Sequence, residues 1–69
     1  MEPKWQKVYS SNDQFKAELL KQVLVANQIE AVVLNQKDSS YQFGEVSILV
    51  PEADRVTAET LIHQQLNNS

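Results

Sequence analysis

Ile29-Glu30-Ala31-Val32-Val33-Leu34-Asn35 is an apolar run of strand length. After the polar stretch from Gln36 to Gly44 comes Glu45-Val46-Ser47-Ile48-Leu49-Val50, in which large apolar and other residues alternate. Alternation with a period of two puts one set of side chains on a buried face and the other set opposite. Two such segments joined by nine residues read as a hairpin whose connection exceeds the usual two to five. Gly44, the single glycine of the chain, stands where that loop re-enters a strand, a place that often calls for positive φ or a bulge.

Upstream of the hairpin, Trp5-Gln6-Lys7-Val8-Tyr9-Ser10 alternates in an aromatic, β-branched setting, as a short strand does. It stops at Ser10-Ser11-Asn12-Asp13, residues that favour turns and helix caps. Ser11 with Gln14 has capping-box spacing, and Asn12 qualifies equally as the cap. From there the period becomes helical. Phe15, Leu19, Leu20, Val23, Leu24 and Ala26 fall on one side of a 3.6-residue wheel, with Lys16, Glu18, Lys21 and Gln22 at its margins or opposite. The helix is expected to run to Asn27-Gln28, with Asn supplying the left-handed cap.

Downstream, Pro51-Glu52-Ala53-Asp54 closes the third strand and opens a second helix. Proline suits a first turn, and the acidic residues oppose the helix dipole. Ala58, Leu61, Ile62, Gln65 and Leu66 form its narrower apolar stripe. The order is strand, helix, strand, strand, helix. A right-handed crossover followed by a hairpin returns the third strand between the first two. The expected fold is therefore an α+β two-layer sandwich: a βαββα ferredoxin-like core lacking the fourth strand, with a three-stranded antiparallel sheet in order 1-3-2 and two helices on one face. Strand one is then an uncovered edge.

With 69 residues, the chain reads as one domain, 1–69, with an ordered core over about 5–66. Its composition, 42% hydrophobic and 22% charged with one Gly and two Pro, is too apolar for a disordered tail. The absence of cysteine excludes a disulfide framework and a thiol nucleophile. Met1-Glu2-Pro3-Lys4-Trp5 does not read as a signal peptide, and no apolar run approaches membrane-spanning length.

Two surfaces follow from the topology. Val46, Ile48 and Val50 should meet the helices, which turns Glu45, Ser47 and Leu49 outward. With Val8 inward, Trp5, Lys7 and Tyr9 join them on the open face. Strand two is apolar on both parities, so it adds Val or Leu to that face as well. Trp5, Lys7, Tyr9, Ser47 and Leu49 are thus candidate residues of an oligomer interface, because a small chain rarely leaves such a patch uncovered. The second surface lies where strands one and two end. Ser10, Ser11, Asn12 and Asn35 should converge there with the loop residues Lys37, Asp38, Ser39, Ser40, Tyr41 and Phe43. A helix N-terminus at the same end offers unpaired N–H donors, so these ten residues are candidates for binding a small polar ligand or a partner protein.

Catalytic patterns are absent from the sequence. His63 is the only histidine and has no acidic or cysteine partner at ligand spacing. A serine nucleophile lacks a base and an elbow. Glu52 with Asp54, and Glu59 nearby, are explained by dipole matching at a helix start. No enzyme activity, cofactor or metal is expected. Nucleic-acid binding is disfavoured: residues 1–37 hold five Lys against four acids, net +1, and residues 38–69 hold one Arg against five, net -4. No basic stripe can track a phosphate backbone.

Several of these stretches resemble a known family. Lys7-Val8-Tyr9-Ser10-Ser11-Asn12-Asp13, Ala17-Glu18-Leu19-Leu20-Lys21 with Leu24, Ile29-Glu30-Ala31, Leu34-Asn35 and Val50-Pro51-Glu52-Ala53-Asp54 look like the putative prokaryotic signal-transducing protein family. The likeness runs from about Trp5 to Leu66. It implies a PII-like, ferredoxin-like core and a bacterial cytoplasmic setting, and it brings no defined ligand. In PII proteins the loop between strands two and three contacts partners; the matching segment here, Gln36–Gly44, is much shorter. The function expected is a non-enzymatic binding or signal-transducing module acting at the loop end, as a homodimer or with a partner protein. The alternative is a structural oligomerisation module acting through the open sheet face and the strand-one edge.

Overall fold

The computed structural model describes residues 4–37 and 44–67. Its elements are β1 (Trp5–Ser11), α1 (Gln14–Ala26), β2 (Val32–Lys37), β3 (Gly44–Pro51), a 3-10 turn (Glu52–Asp54) and α2 (Arg55–Asn67). The sheet is antiparallel with order β1-β3-β2, as the hairpin argument requires. Val46, Ile48 and Val50 of the central strand are buried in one cluster with Ala17, Leu20 and Leu24 of α1 and Ala58 and Ile62 of α2. Both helices therefore cover the same face.

β1 does not keep a single parity. Its register runs Trp5↔Pro51, Gln6↔Val50, Lys7↔Leu49, then shifts so that Tyr9 faces Ile48, Ser10 faces Ser47 and Ser11 faces Val46. A bulge inserts one extra residue and reverses the alternation beyond it. Tyr9, expected on the open face, is consequently half-buried against the core beside Val8. The irregularity expected at Gly44 is in β1 instead: Gly44 pairs regularly with Lys37 and has no positive φ.

The start of α1 also differs from the sequence reading. Asp13, rather than Ser11 or Asn12, is the N-cap, with φ -103° and ψ 100°. Its Oδ1 accepts from the Lys16 N–H at 3.2 Å, and its own N–H donates to Ser11 Oγ at 3.0 Å. Ser11 thus serves the turn one step earlier than a capping box would. At the other end, Asn27 keeps φ -98° and Gln28 takes the left-handed conformation, φ 66°. The Ile29 N–H donates to the Leu24 carbonyl and the Gln28 N–H to that of Val25, both at 3.0 Å, completing a Schellman cap. Asn27 Nδ2 meanwhile donates to the Val23 carbonyl at 2.7 Å. Ile29 is spent on the cap and the core, so β2 begins at Val32 instead of Ile29.

α1 is rolled relative to its expected stripe. Ala17, Leu20 and Leu24 are buried, whereas Phe15 is 80% exposed and Leu19 47%. Ala17 stands roughly 200° around the helix from Phe15. A fully buried alanine on each helix, Ala17 and Ala58, brings both backbones close to the layer beneath, and Phe15, Leu19 and Val25 of α1 are turned outward. On α2 the stripe is as expected: Ala58 and Ile62 are buried, and Leu61 and Leu66 pack against the core. That helix starts later than expected, at Arg55, because Glu52–Asp54 forms a 3-10 turn first. The Glu52 N–H is held by the Lys4 carbonyl at 2.7 Å, which ties the turn to the start of β1.

Candidate functional site

The helix-free face of the sheet can be read from the register. Row by row it carries Trp5 opposite Pro51, then Lys7–Leu49–Val32, then Ser10–Ser47–Leu34, then Glu45. β3 settles the parity of β2. Val33 lies opposite Ile48 on the helix side, half-buried against the core, and Val32 and Leu34 emerge on the open side. Trp5 is 40% exposed, and Val32 and Leu34 41% each. Leu49 between them is half-buried. Of the five interface candidates, Trp5, Lys7, Ser47 and Leu49 share this face, and Tyr9 does not. Val32 and Leu34 belong to it and were left unresolved by the sequence, since β2 is apolar on both parities and only its register with β3 separates them.

Ser47 is 4% exposed although neither described helix lies over it. The Lys7 Nζ lies 3.8 Å from the Glu45 Oε1. Lys7 stands level with Leu49, four residues along β3 from Glu45, a distance of about 13 Å at strand spacing. The two side chains therefore reach toward each other across the Ser10–Ser47 row. The small side chains of that row leave room for the pair to lie flat. Both partners are about half exposed, so the pair acts as a cover more than as a source of stability.

The loop end is less unified than the sequence suggests. Ser11 and Asn35 flank Val46 on the helix side of the sheet, and Ser10 falls on the opposite face. Asn12 is exposed in the turn before α1. The N-terminus of α1 is already served by the Asp13 carboxylate, which places negative charge where an anionic ligand would go. The backbone of Lys37 pairs with Gly44 at the end of β2. Asp38, Ser39, Ser40, Tyr41 and Phe43 lie outside the described residues.

Glu59, Thr60, His63, Gln64 and Asn67 line a shallow depression along α2. Among the described residues, no group of three or more His, Cys, Asp or Glu stands close enough to hold a metal ion. No described helix is long and apolar enough to cross a membrane. A family model described as a putative prokaryotic signal transducing protein matches residues 5–65. No curated protein and no solved structure matches the chain.

Proposed function

The chain belongs to the putative prokaryotic signal transducing protein family, and from that premise we propose that it is a non-enzymatic module that docks another protein on the helix-free face of its sheet. The observation that carries this reading is the grouping of Trp5, Val32 and Leu34, all substantially exposed, around Leu49 on one flat surface. Apolar patches of this kind are association sites. Tryptophan is among the side chains enriched as anchors in protein interfaces. Small ligands need a concave pocket that buries most of their surface, and a three-stranded face is too shallow for that. The charges on it, Lys7 and Glu45, are of opposite sign and lie 3.8 Å apart, so the described residues of the face do not form the basic track of a nucleic-acid binder. The partner this suits is a protein with an apolar surface and a recess for the indole.

A random peptide library panned against the immobilised chain, followed by amide-shift mapping of the selected peptides, tests the reading. Shifts are expected at Trp5, Lys7, Val32, Leu34, Ser47 and Leu49, and the double change Trp5→Ser with Leu34→Ser should abolish them. Titration of nucleotides, amino acids and simple anions serves as the counter-test. Shifts confined to Ser11, Asn12 and Asn35 would move the site to the loop end and overturn the face.

A further inference from the structure

The helix-free face is divided along a diagonal. Trp5 on β1, Leu49 on β3 and Leu34 on β2 stand in successive rows, each one strand over and one row along from the last. Those two steps make a line about 16 Å long that slants across all three strands. Pro51 and Val32 lie on one side of the line, and Lys7, Ser10, Ser47 and Glu45 on the other. The described residues of the face thus form an apolar half, bounded by the diagonal, and a polar half. On the polar half the Lys7 Nζ and the Glu45 Oε1 stand 3.8 Å apart, and both side chains are about half exposed.

Physical limits narrow what can lie there. Sheet hydrogen bonds run in the plane of the sheet, so a face offers side chains and no free backbone groups. An extended segment laid on it would leave its own N–H and C=O groups unpaired against Trp5, Leu49 and Leu34. A helix satisfies its backbone within itself. A second copy packed face to face is short of surface. Three strands by four rows cover on the order of 400 Å², half of the roughly 800 Å² per partner in a standard interface. One helix is about 10–12 Å across and rises about 1.5 Å per residue, so about eleven residues, three turns, follow the diagonal from end to end.

We propose that the partner's docking element is a single amphipathic helix laid along this diagonal, an assignment that rests on the docking function of the face. Apolar side chains at helical spacing, i, i+4, i+7 and i+11, meet Trp5, Leu49, Val32 and Leu34. The flank beside the polar half carries an acidic residue facing Lys7 and a basic residue facing Glu45. The two stand one turn apart, because side chains at i and i+4 are about 5–6 Å from each other, a spacing that suits the close Lys7–Glu45 pair. The docked helix gives the sheet a helical layer on each face. A contact of this size belongs with weak, transient encounters.

Two peptide libraries panned in parallel on the whole chain test the proposal, one displayed on a three-turn helix of a rigid scaffold and one on disulfide-closed loops. Amide shifts locate each selected binder. The expected result is helical binders that shift Trp5, Leu49 and Leu34 and share the apolar spacing, with a proline in mid-helix weakening them by about tenfold or more. Lys7→Glu together with Glu45→Lys should weaken a selected helix about threefold, and exchanging the helix's own acid and base should restore it. Face binders drawn from the loop library alone overturn the helix and leave docking intact. No face binder from either library overturns docking with it. Helical binders that are indifferent to the charge exchange overturn the flank assignment.

Discussion

Ser47 and Ile48 are neighbours in the central strand, both almost inaccessible, and they are hidden by different means. Ile48 is fully buried under two helices, in a cluster with Leu20, Leu24 and Ile62. Ser47 points to the other side, where an ion pair between two exposed side chains, Lys7 and Glu45, spans the rows on either side of it. The first kind of burial removes apolar surface from water and drives folding. The second shields a small polar residue with groups that remain half in solvent and can move away at little cost. The helix side of the sheet thus holds the chain together, and the open side is available for contact.

The sharpest way to break this contrast is to truncate adjacent residues of β3 on opposite faces. Ile48→Ala should cost roughly 3 kcal/mol, within the usual range for emptying a packed site. For a chain of this length, whose whole stability is on the order of 3–10 kcal/mol, that approaches global unfolding. Leu49→Ala, half-buried on the open face, should cost less than about 1 kcal/mol. Urea melts followed by far-ultraviolet circular dichroism read both. Equal losses would mean that the open face is a second core, and its proposed use for docking would fail with it.

A middle-sized effect concerns how the helix layer is fastened. Gln28 holds φ 66°, where a side chain with a Cβ is disfavoured by about 1 kcal/mol and glycine is not. Gln28→Gly should stabilise the chain by roughly that amount and raise the melting temperature by about 4–8 °C. The Schellman cap, with Ile29 and Leu24 both in the core, would be retained. An unchanged or lower melting temperature would show that the gain is lost to chain entropy, and that the strain at this cap does not limit the helix layer.

This position also marks where sequence reasoning reaches its limit. Strand order, the hairpin, the inward set Val46, Ile48 and Val50, and the α2 stripe follow from periodicity, because each rests on several residues that agree. The left-handed residue at the end of α1 rests on one, and Asn27 carried the stronger local preference; its side chain found the Val23 carbonyl instead. The roll of α1 is illegible for a related reason. Phe15 and Leu19 outweigh Ala17 on any hydrophobic wheel, yet close approach of the layers selects the small residue. The β1 bulge has no glycine to announce it, so Tyr9 was assigned to the wrong face by parity alone. For the candidate surfaces, Trp5, Lys7, Ser47 and Leu49 were legible as one face, while Val32 and Leu34 needed the pairing with β3.

The smallest effect, and the most specific to the open face, is that of its cover. A double-mutant cycle of Lys7→Gln and Glu45→Gln should return a coupling of only about 0.3 kcal/mol, typical of half-exposed pairs, and less in high salt. Stability is therefore the wrong readout for this pair, and accessibility the right one. With a soluble gadolinium chelate as probe, the Ser47 β-protons should relax faster in Lys7→Gln than in the parent chain, while protons of Ile48 stay unchanged. If docking requires the pair to swing aside, the variant should also bind face-directed peptides a few-fold more tightly, because the small cost of opening the cover is already removed. Unaltered relaxation at Ser47 would show that the strand neighbours alone hide it, and the open face would then be a flat surface without a movable lid.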